Sequence, residues 1–526
     1  MNNLANTFTE NAVANADKTA IFWGDEQVTF GQAHRLAGGL AKRLKEEFGL
    51  QPGDRVGLWL KNCPEFVFSL FGILLAEGVV VSINNFLTPD EVGYILEDSG
   101  AKVLISEASM AEGTAVLQSQ LDGLAVIEVE QLGQADDSQA PELPPAGQTG
   151  EDLALIIYTS GTTGKPKGAM LSNNNLLRNI GGVMEELELT PEDRMACLLP
   201  MFHSFSMTVC VLLPMTQGLS VVAVKSLHPP KNIIGELLRH QATVLPAIPQ
   251  LYRALANVQM PPGMALRVCV SGAAPLPLEV LKAFNENVGI PLLEGYGLSE
   301  TSPVACFNPL HGEKKAGSVG LPIRGVAFQI WNDAGEVLPT GEQGEICIKG
   351  HNIMIGYWNN PEATAAAIKG DWFLSGDIGY LDEDGYLYIT DRKKDMLLVN
   401  GINVYPRELE VVLEDHEAVG ECTVIGVPDE QGRREILGIH TRGMPLGDKV
   451  DLDELAKATY GFVGADIAAL AREAAIDAVR RIMPKIDLDE RTIPPEVLDE
   501  LYVGREDFLS ALKRIQPSAM REVMVQ

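Results

Sequence analysis

Cysteine, positive charge and long apolar runs are all scarce in this chain, and each scarcity narrows what it can be. The seven cysteines (63, 197, 210, 269, 306, 347 and 422) are scattered and odd in number, with no C-x-x-C pair. That pattern fits reduced thiols and excludes a disulfide framework or a cysteine-based zinc site. Lys and Arg number 41 against 71 Asp and Glu, a formal net charge of −30. Such a balance argues against nucleic-acid binding and against a basic membrane-surface patch. No apolar run is long and charge-free enough to span a bilayer. The N-terminus, MNNLANTFTENAVANADKTA, is polar and lacks the apolar region of a signal peptide. With 526 residues and 46% hydrophobic content, a cytoplasmic protein of several domains is expected.

What the chain does have is a loop crowded with donors. Tyr158-Thr-Ser-Gly-Thr-Thr-Gly-Lys-Pro-Lys-Gly168 packs four small hydroxyl residues, three glycines and two lysines together. The apolar run 153–158 before it reads as a buried strand. The run 174–187 after it has helical apolar spacing behind an Asn/Ser start signal. A strand, a glycine-rich loop and then a helix would place bare backbone N–H groups where an anion sits. Glycines allow close approach, hydroxyls donate and lysines neutralise charge, so the expected ligand is a polyphosphate. The loop is not a Walker A sequence: the Gly161 to Lys165 spacing is wrong, and Pro166 follows the lysine where Ser or Thr would meet magnesium. An acidic protein that holds a nucleotide needs such local positive charge.

Residues 54–60 read as a strand, 64–76 as an apolar helix and 78–83 as a second strand, a βαβ rhythm that implies a parallel sheet. Residues 134–150, rich in Gln, Asp, Pro and Gly, read as an exposed connection. Strand–helix units continue to about residue 310. Short strands and tight turns at 332–335 and 382–385 then suggest a small β-rich lobe over 315–390. Residues 390–395 are charged and hinge-like. After about residue 430 there is no Trp and no Cys, and helices rich in Ala, Glu and Arg dominate.

Four further segments set polar groups in apolar surroundings. Leu199-Pro-Met-Phe-His203-Ser-Phe-Ser holds one histidine, which could equally serve the core or a helix start. Ser271-Gly-Ala-Ala-Pro275 follows a strand read at 266–270, at the strand end where α/β sheets bind ligands. Glu294-Gly-Tyr-Gly-Leu-Ser-Glu300-Thr-Ser-Pro303 offers an aromatic face, glycines and a carboxylate. Trp372-Phe-Leu-Ser-Gly-Asp377 reads as a strand ending in a carboxylate able to bridge a ribose diol, though Asp also commonly caps turns.

Together these segments resemble the adenylate-forming superfamily of acyl-CoA synthetases, luciferases and peptide-synthetase adenylation domains, over about residues 1–430. Residues 157–167 match its AMP-binding signature. Gly-Tyr-Gly-Leu-Ser-Glu300 is close to its YGxTE element, with Ser299 in place of Thr. Asp391-Arg-Lys-Lys-Asp395 and Gly401-Ile-Asn-Val-Tyr-Pro-Arg-Glu-Leu-Glu410 match its hinge and the start of its small C-terminal domain. The resemblance implies ATP, Mg²⁺ and coenzyme A as cofactors and co-substrates, with a carboxylic acid as substrate. A medium- or long-chain fatty acid is expected, and aryl acids remain open. It implies that Thr159, Ser160, Thr162, Thr163 and Lys167 hold the β- and γ-phosphates, with Gly161 and Gly164 in the same loop. Glu300, with Thr163, would bind Mg²⁺. Tyr296 would stack on adenine, Gly272, Ala273 and Ala274 would line the adenine and acyl groove, and Glu294, Gly295, Gly297 and Ser299 would complete the nucleotide site. Asp377 and Arg392 would hold the ribose hydroxyls, His203 would sit beside the acyl carboxylate, and Lys394 would be the hinge.

The resemblance breaks in the C-terminal part. The family's closing lysine, in wording like PKTxxGKxxR, is absent; Met483-Pro-Lys485 lacks the Thr-Gly-Lys context. From about residue 426 the chain is instead similar to the end of an AAA-type ATPase domain. The stretch from Val450 through Gly461-Phe-Val-Gly-Ala-Asp-Ile-Ala-Ala-Leu-Ala-Arg-Glu-Ala-Ala475 resembles the helical lid of the valosin-containing-protein class, and Pro517-Ser-Ala-Met-Arg-Glu-Val its linker. Gly426-Val-Pro-Asp-Glu430 is a phrase both families use and marks the expected crossover. No Walker A or Walker B sequence occurs, so an AAA motor is excluded.

The expected fold class is therefore α/β: a large N-terminal domain of stacked βαβ-type subdomains plus a small β-rich lobe, then a truncated α+β C-terminal domain running into an α-helical tail. The expected boundaries are 1–391, 392–430 and 431–526. The truncated domain should hold one helix, 406–414, and one strand, 421–426, with an open sheet edge unless the tail covers it. Ile467, Leu470, Ala474, Ala478 and Ile482 share one helix face. In an ATPase that face packs on a partner domain, expected to be missing here. The function expected is ATP-dependent acyl-CoA ligation, impaired by loss of the lysine. The alternative is a nucleotide-binding interaction protein docking to AAA rings through its tail.

Overall fold

The computed structural model describes residues 3–132, 144–159, 165–227, 231–258, 260–395, 397–399, 402–414, 419, 422–485 and 501–515. The chain divides into two compact units, Met1–Lys394 and Asp395–Gln526.

Among the described residues the first unit holds three sheets, whose strands are numbered here in chain order. The seven-stranded sheet runs β18 (Gly356–Tyr357), β8 (Lys167–Ser172), β7 (Leu153–Thr159), β4 (Val79–Ser82), β3 (Arg55–Leu58), β5 (Val103–Ser106) and β6 (Ala125–Glu128). Its members from β7 to β6 are parallel, as the βαβ rhythm requires. Helices Pro64–Leu75, Pro89–Ser99 and Ala111–Gln120 make the crossovers. Pro89–Ser99 shows why its ends fall where they do. Thr88 and Glu91 form a reciprocal capping box, Pro89 opens the first turn, and Gly100 closes the last at φ 67°.

The nine-stranded sheet runs β15 (Leu321–Pro322), β14 (Val304–Phe307), β13 (Leu292–Gly297), β12 (Val268–Ser271), β11 (Val244–Ala247), β9 (Arg194–Cys197), β10 (Ser220–Ala223), β1 (Thr19–Trp23) and β2 (Glu26–Thr29). From β13 to β1 it is parallel, with antiparallel strands at both edges. The β-rich lobe pairs β16 (Val326–Trp331), β17 (Gly344–Gly350), β20 (Trp372–Leu381) and β19 (Ile368–Lys369), with β21 (Leu387–Arg392) on β20. One large core, from Leu4 to Leu387, fills the space between the elements, including Phe66, Phe71, Ile180, Val270 and Ile346. No helix among the described residues is long and apolar enough to cross a membrane, and none of the seven cysteines forms a disulfide.

Two local expectations are corrected. The glycine-rich loop does not lead into a helix. Residues Lys167–Ser172 form β8, antiparallel to β7, with Thr159 opposite Lys167 and Ile156 opposite Met170. The helix Asn173–Glu186 starts only after β8, where Ser172 and Asn175 make a capping box. Ala169 and Leu171 are fully buried within β8, and its ladder with β7 is what makes the segment a strand. The segment after the loop is therefore a strand paired with β7, and the helix follows one strand later. Likewise Asp377 does not end its strand: β20 continues to Leu381 through an irregularity at Ile378/Gly379.

In the second unit, β22 (Leu397–Val399) and β23 (Ile402–Val404) form a hairpin, followed by helix Pro406–Glu414 as expected. The strand expected at 421–426 is absent over the described residues 422–426. Cys422 Sγ donates to the Glu410 carbonyl at 3.5 Å and Val424 N–H to Glu410 Oε1 at 2.9 Å, so this segment is tied to the helix and not to a ladder. Helices Glu430–His440, Leu452–Ala458, Gly464–Ile482 and Arg505–Leu512 share a separate core of Leu437, Leu455, Phe462, Ile467, Leu470 and Phe508. The apolar face from Ile467 to Ile482 thus has its partners within the tail itself, which corrects the expectation of a missing one. The linker-like phrase at 517–523 lies outside the described residues.

Candidate active site

The residues singled out in the sequence gather around one cavity of about 1240 Å³ in the first unit. Thr159, Lys167, His203, Gly272, Ala273, Gly295, Tyr296, Gly297, Ser299, Glu300, Asp377, Arg392 and Lys394 all line it. Ser160, Gly161, Thr162, Thr163 and Gly164 lie outside the described residues. Two nominated residues sit behind the wall. Ala274 is not part of the lining, and the Glu294 carboxylate turns away to accept the Leu276 N–H at 2.8 Å. It shapes the 271–276 loop from behind instead of facing the cavity.

At one end, strand register builds a clamp. Asp377 in β20 stands opposite Arg392 in β21, and their side chains approach to 3.5 Å. The Tyr296 hydroxyl donates to Asp377 Oδ2 at 2.6 Å. Burial, then the Asp377 charge, pushes the Tyr296 phenol well above its ordinary pKa, so it stays a donor. Gly376, at φ 74°, turns the backbone just before Asp377. A buried carboxylate beside a guanidinium and a phenol can accept from a vicinal diol while the arginine donates to neighbouring oxygens.

At the other end lie the cations. Lys167 Nζ stands 5.4 Å from the Tyr357 ring centroid, and Lys165 Nζ lies 5.1 Å from the Tyr94 ring. Between clamp and cations is Glu300, 9% exposed, whose Oε1 accepts the Tyr357 hydroxyl at 2.9 Å. Burial raises its pKa, and the Asp377 charge adds to this, against hydrogen bonds from Tyr357 and Thr159. A carboxylate whose ionised form is disfavoured by burial gains from a cation beside it, so Glu300 fits a divalent metal. Among the described residues no cluster of three or more His, Cys, Asp or Glu could hold a metal alone. One carboxylate plus phosphate oxygens is the usual way Mg²⁺ is held.

His203 caps a short helical turn. Its Nδ1 accepts the Phe205 N–H at 3.3 Å, and the surrounding protein lowers its pKa by desolvation. That shift favours the neutral imidazole, in which Nε2–H is left as donor. Next to it, Ser299 Oγ donates to Ser204 Oγ at 3.1 Å, which joins two motifs nearly a hundred residues apart. Beyond His203 the wall turns apolar: Val183, Leu187, Val209, Val270, Val304 and Phe307. The buried Ser271 hydroxyl on this wall has no hydrogen-bond partner among the described residues.

Sequence reasoning missed Tyr357, Tyr94 and the particular apolar residues of this branch. Tyr357 sits in a two-residue strand, opposite Ala169 of β8, and carries no local signal. The signal for Val183 and Leu187 was their i, i+4 spacing in a helix already read as amphipathic.

Fold and site together bring a Tyr296–Asp377–Arg392 cluster, two lysines and an apolar branch to one cavity of an α/β protein. The comparisons agree. Residues 8–358 match the AMP-binding enzyme family, and the chain belongs to it. Residues 449–491 match the AAA+ lid domain. A long-chain-fatty-acid–CoA ligase of Bacillus subtilis is 32% identical over 492 residues, with 86% of this chain and 87% of the relative covered. A feruloyl-CoA synthase of an Amycolatopsis species is 34% identical over 445 residues, with 83% and 88% covered. Among solved structures, an anthranilate CoA ligase in complex with anthranoyl-AMP superposes with a TM-score of 0.75 at 30% identity, covering 81% of this chain and 85% of that one. The o-succinylbenzoate CoA synthetase of Bacillus subtilis, in complex with ATP and magnesium, gives 0.73 at 29% identity, with 81% and 87% covered.

Proposed function

We propose that this protein is an ATP-dependent acid–CoA ligase acting on a medium- or long-chain fatty acid. The observation that carries the reading is the single cavity that unites the Asp377–Arg392–Tyr296 clamp, the Lys165 and Lys167 cations, and the apolar branch beyond His203. An acid oxygen attacks the α-phosphorus of ATP; a P–O bond forms and the bond to pyrophosphate breaks. The thiolate of coenzyme A then attacks the acyl carbon, and AMP leaves. Positioning and charge neutralisation dominate such transfers.

Tyr296 covers the adenine and Asp377 with Arg392 takes the ribose hydroxyls. Lys167 and the 159–164 loop hold the phosphates being lost. His203, through Nε2–H, donates to the acyl carboxylate and orients it. Glu300 and Thr163 would hold Mg²⁺, which when bound neutralises phosphate charge. Lys394, the last residue of the first unit, is the proposed hinge. Because no lysine in the family's closing context follows residue 426, we expect adenylation to be slow. The cytoplasm is the proposed location.

The test is twofold. Calorimetric titration should detect AMP binding, and its absence would refute the nucleotide site. Pyrophosphate exchange as fast as in an intact acyl-CoA synthetase would refute the impairment. The lid match supports a second reading, in which the tail docks to AAA ring subunits. Capture of an AAA hexamer by the full chain, lost on deletion of residues 431–526, is its expected result; equal capture without them would exclude it.

A further inference from the structure

The apolar branch of the cavity runs up to the C-terminal end of the Asn173–Glu186 helix. Val183 and Leu187 lie one turn apart there, each 1% exposed, and both line the cavity. One turn earlier, Asn179 pins the helix to β14: its Nδ2 donates to the Val304 carbonyl at 2.6 Å, and its Oδ1 accepts the Val304 N–H at 3.4 Å. One turn later, Arg267 holds the helix end. Its guanidinium donates to the Leu187 carbonyl at 3.2 and 3.1 Å and to the Glu188 carbonyl at 3.1 Å. A cation on the last carbonyls also suits the helix dipole.

Arg267 is itself fixed. Its Nε and one terminal nitrogen grip the two oxygens of Asp193 at 2.8 and 2.9 Å. Asp193, 5% exposed, also accepts the Thr243 hydroxyl at 2.7 Å and the Thr190 N–H at 2.9 Å. Arg267 stands just before β12, whereas Ser271 ends that strand and Gly272 follows at the nucleotide end. Four strand residues span about 13 Å. Leu187 is therefore held at the opposite end of β12 from the nucleotide loop, with its backbone clamped and its side chain on the channel wall. A wall so anchored cannot yield to a longer ligand without the strain of overpacking.

We propose that Leu187 is the stop that sets the longest acyl chain the channel accepts, and that Arg267, through Asp193, is the positioning residue that keeps the stop in place. The proposal rests on the acid–CoA ligase reading above.

The experiment titrates the full-length protein calorimetrically with non-hydrolysable acyl-sulfamoyl adenosines of graded chain length. In Leu187→Ala, which vacates about three side-chain carbons, the tightest-binding analogue becomes longer. Each methylene newly accommodated raises affinity roughly fourfold. In Leu187→Phe the optimum becomes shorter, while the shortest analogues keep their wild-type affinity. Arg267→Lys keeps the charge but loses the planar fork, and flattens the chain-length profile without changing AMP affinity. An unchanged optimum in both Leu187 variants overturns the stop, and a wild-type profile in Arg267→Lys overturns the positioning role. If the wild-type chain binds AMP but no acyl analogue of any length, the ligase reading itself fails, a result distinct from either.

Discussion

Glu294 is a carboxyl group 7% exposed to solvent, whose Oε1 accepts the Leu276 N–H at 2.8 Å. Burial pushes its pKa up from 4.5 to about 7, with that hydrogen bond pulling the other way. A rise of this size corresponds to about 3 kcal/mol of stability. The sign follows from proton counting. Between the unfolded pKa and about 7 the native state keeps a proton that the unfolded chain has released. Stability therefore falls as pH rises through that window, and the full penalty is present above it. Glu294→Gln keeps an acceptor for the Leu276 N–H and cannot ionise. Near pH 8 the variant should be more stable than wild type by up to about 3 kcal/mol, less roughly 1 kcal/mol for an amide N–H without a partner. Near pH 5 it should be equal or slightly weaker. Urea unfolding of both proteins across that range, at unchanged m-value, measures the difference. Two stability curves running parallel with pH would refute the reasoning. Because the carboxylate faces Leu276 and not the cavity, AMP affinity should be the same in both.

Lys167→Met should weaken MgATP binding by roughly ten- to a hundredfold, the worth of a charge-assisted hydrogen bond, while AMP binding holds; titration with each nucleotide separates the two. Glu300 must be ionised to hold a cation, and its raised pKa means it protonates at higher pH than an ordinary carboxylate. The gain in ATP affinity that magnesium brings should therefore fade as pH is lowered, sooner than for a solvated glutamate, and competition titrations with and without the metal read this directly. Phe508→Ala removes a fully buried ring from the tail core and should cost that unit about 3–5 kcal/mol. Faster hydrogen exchange along Gly464–Ile482 is the expected signature.

Much of the site was legible because its chemistry is written in short contiguous phrases. Thr159 and Lys167, Tyr296 and Glu300, Gly272 and Ala273, and Asp377 and Arg392 each belong to a segment whose residue types announce a ligand, and the fold brings them to one cavity. The parallel strands β3, β4 and β7 were readable for a different reason: buried strands are continuous apolar runs. The misreadings have a common cause. β8 was hidden because Lys167 and Gly168 look like loop residues, and only pairing with β7 makes the segment a strand. Glu294 looked like a nucleotide ligand by its neighbours, but its carboxylate is taken up by the Leu276 N–H, a partner the local phrase does not reveal. Residues 421–426 looked like a strand by apolar content, yet a ladder needs a neighbour, and Glu410 supplies hydrogen bonds instead. Tyr357, opposite Ala169 from nearly two hundred residues away, illustrates the contacts that one-dimensional patterns cannot hold.

Among the described residues the tail's core runs from Leu437 to Ala511, and the large core of the first unit closes by Leu387. Inheritance can act on such a chain as on a sentence with a full stop in it. A segment that begins near Gly426 would bring its own apolar partners with it, because its buried core is drawn from its own residues. On the proposed function the cost of such a join would fall on the reaction and not on folding, because no lysine in the family's closing context follows residue 426.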